Sequence, residues 1–169
     1  KDFVQYTEVI DDMGIENLLS EDFVEEKKKK KKNMSLAEQV YIAYAKHLAE
    51  GKPIDPYGNR EIDVQKIKEF LPLLDELIDK YPDYLYPPYF KAKLLLKLGA
   101  EDIMSSFLPF ARKKKGEYWV WQLLAEIYKD KPEIVFASYC KALSLRSKDD
   151  FLVKIRQSFA GLLIQQKMY

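Results

Sequence analysis

The chain has 169 residues, 47% of them hydrophobic and 33% charged, which is enough apolar material for the core of one domain. Its 28 Lys and Arg against 27 Asp and Glu give a net charge of +1, which excludes a whole-protein field that attracts nucleic acid or an anionic membrane. No run approaches the roughly 18 apolar residues of a membrane span, so no membrane partner is expected, and the single cysteine, Cys140, excludes an internal disulfide.

Residues 1–34 are predicted to be an acidic segment plus a lysine-rich linker, largely flexible. Residues 1–26 hold nine acids against one lysine, and residues 27–32 are six consecutive lysines. Such a run repels itself and stays solvated, although it also matches a nuclear localisation or nucleic-acid patch. The chain opens on Lys1 without a secretion signal, so we expect a processed or excised piece of a longer protein, cytoplasmic, or nuclear in a eukaryote.

A first helical hairpin is predicted over about 35–82. Ser35 and Glu38 match a capping box, in which the serine caps the helix and the glutamate reaches back. Residues 51–61 are rich in Gly, Pro, Asn and Asp, which is typical of a loop. A second helix then runs over about 63–81.

Two more hairpins and a final helix follow. The second hairpin, about 87–116, begins at a Pro-Pro pair, and proline is tolerated in the first turn of a helix. The third spans about 117–148, and the terminal helix spans 149–169. The sequence therefore predicts about seven helices in one domain over residues 35–169.

Three pairs of aromatic residues mark equivalent positions in the hairpins: Tyr41 with Phe70, Tyr89 with Phe107, and Trp121 with Tyr139. Partners in the second and third pairs are 18 residues apart, and these pairs are offset by 32 residues. Partners in the first pair are 29 apart, which is 18 plus the 11 residues of the loop 51–61. This internal repetition indicates one hairpin copied along the chain.

The third hairpin carries a recognisable pattern. Its first helix has an aromatic residue, then Leu at +3, a small residue at +4 and Tyr at +7: Trp121, Leu124, Ala125 and Tyr128. Its second helix has an aromatic residue followed by Ala-Leu, over 139–143. On these residues the chain resembles the tetratricopeptide repeat family over roughly 35–148. The resemblance implies an all-α fold, a right-handed superhelix of helical hairpins, or α-solenoid.

The same resemblance implies a function. First helices of tetratricopeptide repeats line a concave groove that binds extended peptides or partner helices, so we expect a non-catalytic protein-protein interaction scaffold. The implied groove positions mix apolar and charged side chains: Ile42, Lys46, Phe90, Leu94, Lys97, Trp119, Gln122, Glu126 and Lys129. This mixture suits an acidic and hydrophobic peptide partner, and the chain's own residues 1–26 are one candidate.

No catalytic residue, metal site or cofactor is predicted. His47 is the only histidine, has no partner histidine for a metal, and is expected on the surface. Gly-rich phosphate loops and a nucleophile elbow are missing from the sequence. The expectation is therefore that the protein is not an enzyme.

Two alternatives remain open beside the scaffold. A nucleic-acid-associated accessory module would use the clustered bases: Lys27–Lys32, Arg112–Lys115, Lys141, Arg146 and Lys148. An oligomerisation or regulatory domain would use the helix 149–169, because it has more apolar residues than one buried face requires. We expect that helix to be a cap with exposed apolar flanks, a dimer surface or a point of truncation, and we favour truncation or a following domain.

Overall fold

The computed structural model describes residues 10–12, 14–25, 27–28, 31–145 and 147–167. The fold is all-α, as predicted, and the chain forms two compact units, Lys1–Phe107 and Leu108–Tyr169. The predicted boundaries, a segment over 1–34 and one helical domain over 35–169, stay a prediction. Residues 1–9, Lys29, Lys30 and Arg146, which figure in the predictions, lie outside the described residues.

Residues 10–12 are helical, and seven further α-helices follow from Leu36 onward, beside the about seven that the sequence predicts. They are α1 (Leu36–Glu50), α2 (Val64–Lys80), α3 (Pro87–Lys97), α4 (Met104–Lys113), α5 (Tyr118–Ile127), α6 (Pro132–Ser144) and α7 (Asp149–Gln165). Helices α1 to α3 belong to the first unit, α5 to α7 belong to the second, and α4 crosses the boundary. The right-handed superhelix stays a prediction.

Two short antiparallel hairpins, which the sequence did not predict, accompany the helices. Strand β1 (Lys27–Lys28) pairs with β2 (Lys31–Lys32) inside the lysine run, and β3 (Lys52–Pro53) pairs with β4 (Arg60–Glu61) inside the predicted loop. Two 3-10 turns, Ile15–Asn17 and Ser20–Phe23, precede them. In the described residues, no helix combines the length and apolar character required to cross a membrane.

Helix α1 begins as the sequence predicts, but one side chain of the capping box acts elsewhere. The Ser35 Oγ atom accepts a hydrogen bond from the Glu38 backbone N–H at 3.1 Å. The Glu38 carboxylate, buried at 2% exposure, accepts from the backbone N–H groups of Leu85 and Tyr86 at 3.0 and 3.4 Å. These N–H groups lie just before α3, so Glu38 links the start of α3 to α1. Its negative charge also interacts favourably with the positive N-terminal end of the α3 dipole.

The segment between α1 and α2 is a structured hairpin. Gly51 ends α1 with a φ of 73°, and a Cβ at this position would lie 2.5 Å from the Glu61 carbonyl oxygen. The Arg60 guanidinium donates to the Gly51 carbonyl oxygen at 3.0 Å. At the tip, the Asp55 carboxylate accepts from the backbone N–H of Tyr57 at 2.9 Å, which closes the turn.

The predicted aromatic register appears as contacts between neighbouring helices. Ring centroids of Tyr41 and Phe70 lie 5.7 Å apart, and those of Tyr89 and Phe107 lie 6.4 Å apart. The first pair meets although its partners are 29 residues apart, because the β3–β4 hairpin accommodates the extra residues. Helix α2 continues from Val64 to Lys80 through Pro72, so the proline does not end it.

Each unit has its own apolar core. In the first unit, buried side chains of α1 and α2 pack with Leu94 of α3 and with Ile10 and Ile15 from the acidic N-terminal region. In the second unit, a smaller cluster contains Ala142, Leu152 and Ile155, with Trp121 and Tyr139 packed against it. The equivalent aromatic pair of the third hairpin therefore shares one cluster.

Candidate interaction surfaces

The predicted groove residues of the first unit differ in exposure. Lys46 and Lys97 are exposed, and the Lys46 Nζ lies 3.9 Å from the Glu50 carboxylate one turn later. Ile42 is half-buried. Phe90 packs against the core of the unit, and Leu94 is fully buried at 0% exposure. Leu94 therefore stabilises the core and is not available to a ligand.

Leu94 is buried for a geometric reason. It follows Phe90 by four residues, so the two side chains lie on the same face of α3. That face packs against α1 and α2, because Phe90 and Leu94 belong to the same cluster as Tyr41 and Leu74. The assignment of Leu94 to a groove is corrected by this packing.

The predicted groove residues of the second unit are more accessible. Trp119, Gln122 and Glu126 are half-buried, and Lys129 is exposed. The Gln122 amide donates to the Glu126 carboxylate at 3.3 Å. The Trp119 ring lies 5.8 Å from that of Phe110, centroid to centroid. Helix α5 and the turn after it offer an aromatic ring, an amide, a carboxylate and an ammonium group.

The acidic N-terminal region contacts the helices of the first unit, although residues 1–34 are predicted to be largely flexible. Ile10 and Ile15 are each only 8% exposed and belong to the core. Between them, the Asp11 carboxylate accepts a hydrogen bond from the Tyr44 hydroxyl at 2.6 Å and pairs with the Lys66 ammonium group. Two apolar side chains, Ile10 and Ile15, and the carboxylate of Asp11 between them therefore contact α1 and α2.

The contact between Asp11, Tyr44 and Lys66 shifts the pKa values of Asp11 and Tyr44. Burial raises the pKa of the Asp11 carboxyl, but the hydrogen bonds from Lys66 and Tyr44 outweigh burial, so the pKa lies below its usual value. Burial and the bond to Asp11 raise the pKa of the Tyr44 phenol. Asp11 therefore stays ionised at neutral pH and Tyr44 stays a donor. A cavity of about 190 Å³ adjoins this pair and is lined in part by Glu16, Glu69 and Phe70.

A second contact holds the other end of the same region. The Phe23 ring stacks on that of Tyr81 with centroids 5.1 Å apart, and Tyr81 stacks on Tyr84 at 4.9 Å. The Tyr84 hydroxyl donates to the Phe23 carbonyl oxygen at 2.7 Å and accepts from the Ser35 hydroxyl at 2.6 Å. The Lys80 ammonium group lies 6.0 Å from the centroid of the Phe23 ring, within the range of a cation–π interaction.

The last helix exposes apolar side chains. Phe151, Val153 and Ile164 of α7 are 57%, 45% and 66% exposed. The Phe151 ring stacks on Tyr118 with centroids 6.4 Å apart, so one of its faces is covered within the second unit. Helix α7 therefore exposes three large apolar side chains among polar ones such as Lys154 and Gln157, and the predicted dimer contact stays a prediction.

His47 is buried, whereas the sequence predicts it on the surface. It is only 9% exposed, because it lies one turn after Tyr44 on the buried side of α1. Burial, followed by the nearby charge of Lys52, lowers its pKa below the usual value. Among the described residues, no group of three or more His, Cys, Asp or Glu side chains is placed to hold a metal ion.

The model of one protein family matches residues 85–169, half of the chain. The chain belongs to that family, the Domain of unknown function (DUF7017). The DUF7017 match includes α3 to α7, whereas α1, α2 and the acidic region precede it. No match was found among curated proteins or among solved structures.

Proposed function

We propose that this DUF7017 chain is a non-catalytic protein-protein interaction module that binds a peptide or partner helix through the first helices of its hairpins. One observation carries the proposal. Helices α1 and α3 each combine a partly exposed apolar residue with an exposed lysine, Ile42 with Lys46 and Phe90 with Lys97, and α5 carries Trp119 with the exposed Lys129 in the turn after it. A peptide that carries apolar and acidic side chains would find both kinds of contact on or next to each helix.

The proposal uses the groove predicted from the tetratricopeptide-like pattern, without Leu94. Aromatic rings offer a large contact area at low entropic cost and are enriched at the centres of interfaces. Exposed lysines at the edge accelerate association with an acidic partner and favour one orientation, more than they add affinity. We place the protein in the cytoplasm, or in the nucleus of a eukaryote, as part of the same proposal.

Selection from a displayed peptide library, followed by affinity measurement with charge-reversed variants, tests the proposal. Lys46→Glu, Lys97→Glu and Lys129→Glu change the proposed surface. Lys68→Glu in α2 and Lys154→Glu in α7 are matched controls, since both lysines are exposed and lie on helices outside it. We expect roughly tenfold weaker binding for at least one surface variant and less than a twofold change for the controls, at low salt.

A second candidate function is self-association through α7, favoured by the exposure of Phe151, Val153 and Ile164. Light-scattering mass measured over a hundredfold range of concentration tests it. A mass that doubles with concentration, and that stays monomeric after Phe151→Asp, would support a dimer. A constant monomer mass would exclude this candidate over the range measured.

A further inference from the structure

Residues 10–25, hereafter the acidic segment, contact the first unit mainly through side chains. The turns of the segment are closed locally, with the Gly14 N–H donating to the Ile10 carbonyl at 2.9 Å and the Val24 N–H donating to the Glu21 carbonyl at 3.1 Å. Hydrogen bonds to the segment come from the side chains of Tyr44 on α1, Lys66 on α2 and Tyr84 between α2 and α3. Detachment of the segment would therefore leave the backbone hydrogen bonds of α1 and α2 intact.

The charges of the acidic segment and of the surface beneath it are complementary. The described residues of the segment include six acids and no base: Asp11, Asp12, Glu16, Glu21, Asp22 and Glu25. The helices supply Lys66 against Asp11 and Lys80 over Phe23, and Lys52 lowers the pKa of Asp11 through its charge. Basic groups thus face the segment at Asp11 and at Phe23, whereas Glu16 lines the same cavity as Glu69 of α2.

We propose that the surface of the first unit beneath the acidic segment is a binding site for an acidic segment of a partner protein, and that residues 10–25 occupy it as an internal competitor. The inference goes beyond the proposed function, because this surface lies on α1, on α2 and at Tyr84 after α2, and it names the class of its ligand. The ligand has an aliphatic residue beside an aspartate, for the place of Ile10 and Asp11. It has an aromatic residue twelve positions after that aspartate, for the place of Phe23.

The contacts are suited to exchange between an internal and an external ligand. The side chains of Asp11 and Lys66 remain 32% and 35% exposed, so salt screens their attraction and a competitor can reach it. A tethered ligand acts at an effective concentration of the order of millimolar, which weakens any ligand supplied from outside. Loosening the internal segment should therefore increase external affinity.

The test uses the full chain and a fluorescein-labelled peptide with the sequence of residues 1–26, with binding measured by anisotropy. The opened variant is Asp11→Asn combined with Phe23→Ala, which weakens both contacts. Its matched control is Asp12→Asn combined with Leu19→Ala, since both of these residues are exposed. We expect the opened variant to bind the peptide at least about tenfold more tightly than the unmodified chain or the control.

Adding Lys66→Glu to the opened variant should remove that gain. Equal affinity of the opened variant and the control, with circular dichroism spectra of folded protein for both, would overturn the inference. If the opened variant does not fold, native-state hydrogen exchange of the unmodified chain decides. Amides of residues 14–25 should then exchange before those of α1, whereas exchange only together with α1 would mean that the segment is an integral part of the core.

The peptide library separates this inference from the proposed function. Selected peptides that are acidic and compete with the labelled peptide support the inference, and those that lose affinity with Lys46→Glu, Lys97→Glu or Lys129→Glu support the proposed function. Selection of peptides of the second kind alone by the opened variant would overturn the inference and leave the interaction module standing. Failure of both the unmodified chain and the opened variant to select any peptide would overturn both.

Discussion

The two units differ in how their apolar side chains are covered. In the first unit, Ile10 and Ile15 come from outside the helical hairpins and complete the core, and the buried carboxylate of Glu38 ties α1 to the start of α3. In the second unit, α7 leaves Phe151 and Ile164 exposed. A helical repeat cannot bury its apolar face alone. In this chain, the acidic N-terminal region covers part of the apolar face of the first unit.

The largest expected effect is on the free energy of unfolding, and it comes from a comparison of one phenylalanine in each unit. Phe70 is 2% exposed and its ring lies 4.9 and 5.7 Å from those of Tyr44 and Tyr41. We expect Phe70→Ala to lower the free energy of unfolding by about 3–5 kcal/mol, because it leaves a cavity in a packed core. Urea denaturation followed by circular dichroism measures the change.

Phe151→Ala in the second unit is the matched control, since the same side chain is removed from a position that is 57% exposed. Its expected cost is below about 1 kcal/mol. Equal costs at the two positions would contradict the contrast between a buried phenylalanine of the first unit and an exposed one of the second.

Glu38→Gln tests the polar connection in the first unit. The substitution keeps the shape of the side chain but replaces charge-assisted hydrogen bonds to the N–H groups of Leu85 and Tyr86. We expect a loss of about 2 kcal/mol in the free energy of unfolding, since bonds to charged groups contribute roughly 1.5–3 kcal/mol. Glu50→Gln on the same helix is exposed and should change stability by less than about 0.5 kcal/mol, and a similar loss there would argue against a special role for Glu38.

Gly51→Ala tests the junction between α1 and the β3–β4 hairpin. With φ at 73° and the Glu61 carbonyl oxygen 2.5 Å from the added Cβ, we expect a loss of more than about 1 kcal/mol. Gly116→Ala in the second unit is the control, because its Cβ would meet nothing within 4 Å. Thermal unfolding of both variants should show a lower Tm for the first alone, and unchanged Tm values for both would mean that the hairpin moves away without cost.

The smallest expected effect is a pH dependence at His47. Burial lowers its folded pKa, so the folded state binds the proton less readily than the unfolded state does. The stabilisation is fully present above the unfolded value of about 6.5 and is lost as pH falls through the folded value. Urea midpoints at pH 7.5, 6.5 and 5.5 should decline for the unmodified chain and decline less for His47→Gln, whereas equal slopes would assign the decline to other groups.

The helices were predictable from sequence because their signals are local. Ser35 begins α1 through a bond to a residue three positions later, and the aromatic spacing required only counting along the chain. Tyr89 and Phe107, which that spacing relates, lie next to each other on neighbouring helices. Such signals depend on helical geometry, which does not change when the surrounding protein does.

The covering of the first unit was not predictable in the same way. Asp11 meets Tyr44, which is 33 residues away, and no local pattern specifies that pairing. The available signal was the presence of Ile10 and Ile15 in a segment otherwise rich in acids, since isolated aliphatic residues there gain by burial. The role of Glu38 was hard to predict for a related reason. A glutamate can complete a local capping box or accept from a distant N–H group, and the sequence does not distinguish the two.

The β3–β4 hairpin makes the chain easy to extend or label at one place. Its strands hold the entry and exit of the loop together, and Asp55 closes the tip independently of the helices. Tyr57 is 93% exposed and Gly58 has open space around it. Because lengthening a closed surface loop costs little conformational entropy, this tip is a suitable point for an inserted affinity tag or fluorophore.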